Sequence, residues 1–399
     1  MKKIMILGAS ILQLPAIVKA KSMGLLPIVV DMNPDAVGFK EDGIIREVIS
    51  TIDREGILES AIRNNIDGIM TLATDMPMQS VAYVANKLNL VGITEDTALK
   101  ATNKAFMRDA LKSAGVPIPE YYKVNSKKEF IDAVHKITEH GYRCIVKPMD
   151  NSGSKGIDLL KDLSAETLET AYSYSKENSR SGGLMVEEYM EGPEVSVETI
   201  AVDGIVHVIQ ITDKLTTGAP YFVEMGHNEP SLLNIDTQEK IKKVAIAANH
   251  AIGITSGPSH TEIKVTNDGP KIVELGARLG GDNITTQLVP LSTGVDLVEC
   301  CIHIAMGEKP SIEPKWSRGS AIRYFNTNTG VIKDILGIDE AKKIPGIKDV
   351  EIVKNIGSTV GKIRSSGDRA GFVISCASNS VSAGEAADAA LGKVHFVIQ

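Results

Sequence analysis

Thr261-Glu262-Ile263-Lys264-Val265-Thr266-Asn267-Asp268-Gly269-Pro270-Lys271-Ile272-Val273-Glu274-Leu275-Gly276-Ala277-Arg278 reads as two strands, residues 261–265 and 271–275, closed by an Asp-Gly turn at 268–269. Each strand carries one glutamate, so Glu262 and Glu274 can meet on one face of the hairpin; the alternative puts them on opposite faces. Opposed like charges on neighbouring strands repel unless a cation lies between them. Two carboxylates near a phosphate loop suit Mg²⁺, which takes few carboxylates and completes its shell with water and phosphate oxygens. Arg278 follows four residues after Glu274, in a glycine-rich loop running on to Asn283. Its planar fork can hold a carboxylate or a transferring phosphoryl group, although an ordinary surface arginine would read the same way.

Upstream, Met185-Val186-Glu187-Glu188-Tyr189-Met190-Glu191-Gly192-Pro193-Glu194 is an apolar strand that ends in clustered acids before a Gly-Pro turn. Carboxylates there can accept hydrogen bonds from a base amine or ribose hydroxyls, and exposed backbone can read a purine edge. A solvated acidic turn is the plainer reading of that segment alone. Further upstream, Lys147-Pro148-Met149-Asp150-Asn151-Ser152-Gly153-Ser154-Lys155-Gly156 joins small residues to two lysines between two expected strands. Small residues let backbone N–H groups approach phosphate oxygens and lysine adds a mobile charge, yet a polar hairpin turn fits equally. The GxxxxGK[ST] order of a Walker loop is absent.

Outward from these segments, residues 3–7 and 26–30 are continuous apolar runs flanking a helical pattern at 12–23, and the pattern recurs at 66–71 and 76–88. Continuous rather than alternating apolar strands indicate burial on both faces, as in a parallel sheet. Residues 1–95 therefore read as an open α/β domain. Helical stretches at 95–102 and 104–113 stop at Gly115-Val116-Pro117-Ile118-Pro119. A small α+β lobe follows at about 121–189, with helices at 127–140 and 165–177 and strands at 143–147 and 183–187. Beyond it come a hairpin across Asp203-Gly204 within 194–211 and a helix at 237–252, completing a unit at 96–308; residues 309–399 read as a small β-rich cap. Gly8-Ala9-Ser10 lacks the GxGxxG pattern, which argues against a dinucleotide-dependent oxidoreductase.

At 399 residues the chain exceeds one compact core. A net charge of −7 and a pI near 5.7 argue against nucleic-acid partners, which favour clustered basic surface. Cys144, Cys300, Cys301 and Cys376 show no metal-ligand or disulfide spacing. The apolar run in Met-Lys-Lys-Ile-Met-Ile-Leu-Gly is too short for a leader or a membrane span, so a cytoplasmic protein without membrane contact is expected.

In this order the segments resemble the ATP-grasp superfamily from the first strand to the cap, with Asn103-Lys104-Ala105-Phe106-Met107-Arg108 and Ala114-Gly115-Val116-Pro117-Ile118-Pro119 as further landmarks. The resemblance implies an α/β chain with the ATP-grasp fold: an open parallel α/β domain, an α+β lid lobe and a small β-rich cap. It implies that Lys104 and Lys147 hold ATP phosphates, that Ser152, Gly153, Ser154 and Gly156 close over them, that Glu187, Glu188, Tyr189 and Met190 line an adenine slot, and that Glu194 contacts the ribose. Within the superfamily, Gly257-Pro258-Ser259-His260-Thr261-Glu262, Glu274-Leu275-Gly276-Ala277-Arg278 and Tyr221-Phe222-Val223-Glu224-Met225-Gly226-His227 look most like the L-amino-acid ligases that make dipeptides.

By that resemblance the activity is ATP-dependent joining of a small carboxylate to an amine through an acyl phosphate, with Mg²⁺, or Mn²⁺ in its place, on Glu262 and Glu274. Arg278 and Lys147 are then catalytic, and Glu224, His227, His260 and Arg278 face the substrates. A two-fold dimer is the default assembly. A bicarbonate-using carboxylase, a carbamoyl-phosphate-type enzyme and a catalytically silent nucleotide-binding module are the rival readings. One departure stands out: many ATP-grasp proteins have Glu-x-Asn where this chain has Glu274-Leu275-Gly276, so either one metal loses a ligand or Asn283 substitutes.

Overall fold

The computed structural model describes residues 1–151 and 155–399. Its first sheet is parallel, in the order β3-β2-β1-β4, from β1 (Lys3–Leu7), β2 (Leu26–Asp31), β3 (Ile45–Val48) and β4 (Gly68–Thr71). Helices α1 (Leu14–Ser22), α2 (Arg54–Asn64) and α3 (Met78–Lys87) cover it, which is why Ile4–Leu7 and Ile28–Val30 have no exposed surface. The strand β3 and the helix α2 lie outside the elements expected from sequence. β3 is the edge strand Ile-Arg-Glu-Val, half exposed and without an apolar run to mark it.

Two short helices then cross to the next unit, α4 (Glu95–Thr102) and α5 (Lys104–Ser113). Asn103 caps α5, its side chain accepting from the N–H groups of Ala105 and Phe106. This fixes Lys104 at the first helical position, and its own N–H donates to the Met149 carbonyl at 2.9 Å. An antiparallel sheet, order β5-β8-β6-β7, follows in the lobe: β5 (Tyr121–Val124), α6 (Lys127–Glu139), β6 (Cys144–Pro148), β7 (Asp158–Leu159), α7 (Ala165–Glu177) and β8 (Leu184–Glu188). Ser126 and Ser164 cap the two helices, which pack Phe130, Val134, Ile137 and Leu168 onto Val146 and Val186. Ile145 lies opposite Glu187, so Lys147, two residues on, shares a face with that carboxylate.

The large sheet has eight strands in the order β13-β12-β9-β10-β11-β14-β18-β16. Its members are β9 (Glu194–Val202), β10 (Ile205–Thr216), β11 (Glu224–Glu229), β12 (Gly257–Thr266), β13 (Gly269–Gly276), β14 (Gly319–Tyr324), then, after β15 (Gly330–Leu336), β16 (Ile347–Ile352) and, after β17 (Thr359–Val360), β18 (Gly371–Ala377). Helix α8 (Ile235–Ile252) packs on this sheet through Ile241, Ala245, Ala248 and Ile252 and ends at a left-handed Gly253. Two further helices, α9 (Val289–Thr293) and α10 (Leu297–Ala305), bring the chain against the first sheet, and β15, β17 and β19 (His395–Ile398) form a small separate sheet. The last two helices are α11 (Ile338–Lys342) and α12 (Ser380–Leu391). Three strands from beyond residue 309 thus belong to the large sheet, which carries carboxy-terminal side chains to its centre. Among the described residues no single helix is long and apolar enough to cross a membrane. All four cysteines are buried free thiols.

β11 reads Glu-Met-Gly-His-Asn-Glu and is mostly buried between β10 and β14, a polar strand inside a sheet. Glu229 has no exposed surface and is bonded by the hydroxyls of Thr212 and Ser292, both at 2.9 Å. Burial, outweighing those hydroxyls, pushes its carboxyl up to about 8. A carboxyl raised above its unfolded value favours folding below about 4.5, and that contribution drains away as pH rises to about 8. Glu229→Gln should therefore melt higher than the parent at pH 8, by an amount equivalent to a few kcal/mol (~1.4 kcal/mol per pH unit between the two values). Equal melting of parent and variant at pH 5 and a gap at pH 8 is the expected pattern; a gap of the same size at both would refute it.

Candidate active site

A cleft of about 190 Å³ lies between the lobe and the large sheet. At its lobe end, β8 and α5 bury three charges. The Arg108 guanidinium grips Glu187 through Nε and Nη2 at 2.8 and 3.0 Å and donates to the Val273 carbonyl at 2.8 Å, while Lys147 Nζ meets Glu187 Oε2 at 2.6 Å. Burial pushes Glu187 up, but the two cations outweigh it and hold the carboxyl down at about 2. The Glu187 side chain is thus tied to Arg108 and Lys147, and Glu187, Glu188, Tyr189 and Met190 all line the cleft. Glu188 is fixed by Lys271 at 2.9 Å and by the Glu120 N–H at 3.0 Å; Tyr189 lies 6.0 Å from the Phe222 ring.

At the sheet end one cation faces three acids. Lys214 Nζ, from β10, meets Glu194 Oε1 at 2.7 Å, Glu262 Oε1 at 3.0 Å and Glu224 Oε1 at 3.3 Å. Burial alone would lower the lysine, but Glu194, Glu262 and Glu224 together hold it well above its ordinary value. Lys264 adds a second contact to Glu194 at 2.9 Å. Glu262 and Glu274 are directly opposed in register and both line the cleft, so the shared-face reading of the hairpin holds. Glu274 is met by Lys104 at 3.1 Å, and the same ammonium donates to the Asn151 carbonyl at 2.7 Å.

Beyond Glu262 the cleft opens into a second cavity of about 230 Å³ that holds Lys214, Glu224, His227, His260, Arg278 and Asp282 among its walls. His260 Nδ1 lies 2.5 Å from Glu198 Oε1 and its Nε2 lies 3.5 Å from Glu262. Burial lowers this imidazole, yet Glu198 and Glu262 together bring it up to about 9, so at neutral pH it is a cation. His227 is buried with its Nε2 3.5 Å from Asp282, and among the described residues neither ring nitrogen has a hydrogen-bond partner. Asp282 is gripped through both oxygens at 2.7 Å by Arg369, from the chain just before β18, and that guanidinium stacks 3.7 Å over the Tyr324 ring. Despite burial, Arg369 and His227 hold the Asp282 carboxyl well below the usual range.

The residues expected from sequence therefore gather in two connected cavities, with the following differences. Lys104 lines neither of them but a neighbouring cavity, beside Glu274. Ser152, Gly153 and Ser154 lie outside the described residues. Gly156 closes the turn into β7, where its carbonyl accepts from the Ser175 hydroxyl at 2.7 Å. Asn283 is left-handed at the start of a π-turn and does not line either cavity. Sequence reasoning gave no role to Asp75, Glu198, Lys214, Asp282 or Arg369, and quoted Arg108 only as part of a landmark. A signal existed for Arg108: with Lys104, Met107 and Leu111 it occupies the buried stripe of α5, where an unpaired cation would be costly.

Two hard carboxylates opposed in one cleft, next to an excess of acid over cation around Lys214, are a donor set suited to a magnesium-type ion completed by phosphate oxygens. Among the described residues no third His, Cys, Asp or Glu joins them in a closed metal cluster.

A lobe facing a large sheet across such a cleft is the arrangement of an ATP-grasp domain, and residues 140–287 of the chain match the ATP-grasp domain. Residues 323–399 match the L-amino acid ligase C-terminal domain 2. An L-arginine-specific L-amino acid ligase of Bacillus subtilis is 27% identical over 303 residues, covering 73% of this chain and 71% of that one. The uncharacterized protein y4rH of Sinorhizobium fredii is 29% identical over 317 residues, covering 79% of this chain; the match spans 65% of that relative, under two thirds of its length. The crystal structure of an L-amino acid ligase from Bacillus licheniformis superposes with a TM-score of 0.84 at 23% identity, covering 100% of this chain and 99% of that one, and so shares the fold.

Proposed function

We propose that the chain is an ATP-dependent, ADP-forming ligase that activates a carboxylate as an acyl phosphate and joins it to an amine, with amino acids, or an amino acid and a small carboxylate, as substrates. The observation that carries this reading is the join between the two cavities, where Glu224, Glu262, Glu274, Lys214 and Arg278 line the cleft and His227 and His260 stand just beyond. Glu187, Glu188, Tyr189 and Met190 line the slot for the base, Glu194 receives the ribose, and Lys104 and Lys147 the phosphates. Mg²⁺, or Mn²⁺ in its place, would be held by Glu262 and Glu274 and would neutralise charge on the terminal phosphates.

A substrate carboxylate oxygen attacks the γ-phosphorus and ADP departs, a step that needs positioning and charge stabilisation more than covalent help. Attack of the amine nitrogen on the acyl carbon then builds an oxyanion that Arg278 is placed to stabilise, and collapse expels phosphate. His260, already a cation, offers N–H donors rather than a base, which leaves Glu224 or His227 to take the proton from the amine. An acyl phosphate hydrolyses in open water, so the lobe at about 121–189 is expected to close over the cleft during turnover. In this reading residues 1–95, 96–308 and 309–399 act as amino-terminal domain, ATP-grasp domain and cap.

The test is ADP and phosphate release from ATP–Mg²⁺ over a panel of amino acids and small carboxylates, offered singly and in pairs, with product mass. Pair-dependent release with a coupled product is expected, and Glu274→Gln, which removes one carboxylate charge and unpairs Lys104, should lower it at least ~100-fold. Release with one carboxylate alone would point to ammonia or bicarbonate as the second reactant. ATP binding without stimulated release by any partner would favour the silent module.

A further inference from the structure

We infer that Asp75, from the loop after β4 in the amino-terminal sheet, is a positioning residue that fixes the Arg278 guanidinium toward the second cavity; the inference rests on the ligase reading above. The chain leaves β4 through Ala73, whose φ of 57° is left-handed, and this turn aims Asp75 away from its own sheet. Its two oxygens take Arg278 Nε and Nη2 at 2.8 and 3.1 Å, and Nη1 donates to the Leu279 carbonyl at 3.3 Å. Five N–H bonds on a guanidinium, less these three, leave one on each terminal nitrogen. Those two make a fork in the plane that Asp75 imposes, suited to a carboxylate or an acyl oxyanion.

Gly276 bears on this independently. A Cβ there would stand 2.8 Å from Asp75 Oδ1 and 3.2 Å from Arg278 Nε. The ion pair therefore occupies the space that a side chain at 276 would need, and glycine at this position is a condition of the pair. The departure from Glu-x-Asn is thus the counterpart of a carboxylate supplied from another part of the chain. Asp75 also belongs to the walls of both the second cavity and a neighbouring one of about 250 Å³ that contains Lys104 and Glu274. Without its charge, Arg278 would be drawn instead toward Glu274 and Glu198, the other carboxylates whose fields it feels.

The test is Asp75→Asn and Asp75→Ala, each alone and with Arg278→Lys, assayed for kcat, for KM of ATP and of the amino-acid pair, and for melting temperature. Asp75→Asn should lower kcat about 10- to 100-fold, as loss of a partner that orients a functional group does, while KM for ATP stays within about threefold. In the Arg278→Lys background the same change should cost less than about threefold, because its effect runs through the guanidinium. A kcat within about threefold of the parent in both Asp75 variants, or an undiminished cost in the Arg278→Lys background, would overturn the inference. A parent without pair-dependent release refutes the ligase reading by itself. The pair is then decided by the Arg278 Nε–H resonance, assigned by its loss in Arg278→Lys: displacement in Asp75→Asn supports the inference and an unmoved signal overturns it.

Discussion

Glu187→Gln is expected to destabilise the folded chain by about 3–5 kcal/mol at pH 7, among the largest effects of any single polar substitution here. The carboxylate is shared between two cations in a buried site, so its removal leaves both uncompensated. Lys147 is the less constrained of the two: burial, and repulsion from Arg108 and Lys104, already push its ammonium down despite Glu187, and it can shed a proton. Arg108 has no such escape, being 1% exposed and always charged, and its Nη1 lacks a partner even in the parent. The pH dependence carries the same sign. A carboxyl held at about 2 contributes stability that is complete above its ordinary 4.5 and is lost as pH falls toward 2, on the order of 3 kcal/mol. Denaturant titrations at pH 7 and pH 3 check both statements: the parent should lose stability between them through this group, and Glu187→Gln should start low and lose less. A variant within about 1 kcal/mol of the parent at pH 7 would show that the triad is not a closed ion cluster in solution.

That triad also marks how far sequence reasoning reaches. The elements read correctly are those whose signal is local: β1 and β2 from unbroken apolar runs, the Asp268-Gly269 hairpin from its turn, and the helices α6, α7 and α8 within a few residues of their bounds. β3 and β11 gave no such signal, since one is a half-exposed edge and the other a polar strand buried by its neighbours. In the site, the acids on the hairpin were visible because one turn fixes their relation. Asp75 meets Arg278 across 203 residues and Arg369 meets Asp282 across 87, and no period or turn in the sequence joins them. Lys214 was passed over for a related reason: in β10 it reads as one polar residue of a strand, and only the fold brings Glu194, Glu224 and Glu262 around it. Charges at this site are legible singly, whereas their pairing belongs to the tertiary structure.

Pairing is also what sets the expectation for Arg278→Ala, a fall in kcat of about 10²- to 10³-fold with little change in KM for ATP. In the proposed reading, phosphate charge would be shared among Lys147 and Lys214, which line this cleft, and Lys104 in the neighbouring cavity, so the loss of one could be partly made good by the others. The oxyanion of the proposed second step would have fewer recourses, because the arginine stands where the two cavities meet and is paired through two nitrogens with Asp75. Burial disfavours its charge, but Asp75 and then Glu274 keep it above its ordinary value, so the variant should lag the parent by a constant factor from pH 6 to 9. Single-turnover measurements separate the two steps: ADP formation with the carboxylate alone should survive better than formation of the coupled product. If the loss fell on ADP formation instead, Arg278 would serve phosphoryl transfer, and stabilisation of the tetrahedral oxyanion would pass to the charged His260. A rise in KM for the amino acids at unchanged kcat would assign the guanidinium to ground-state binding and remove it from the chemistry altogether.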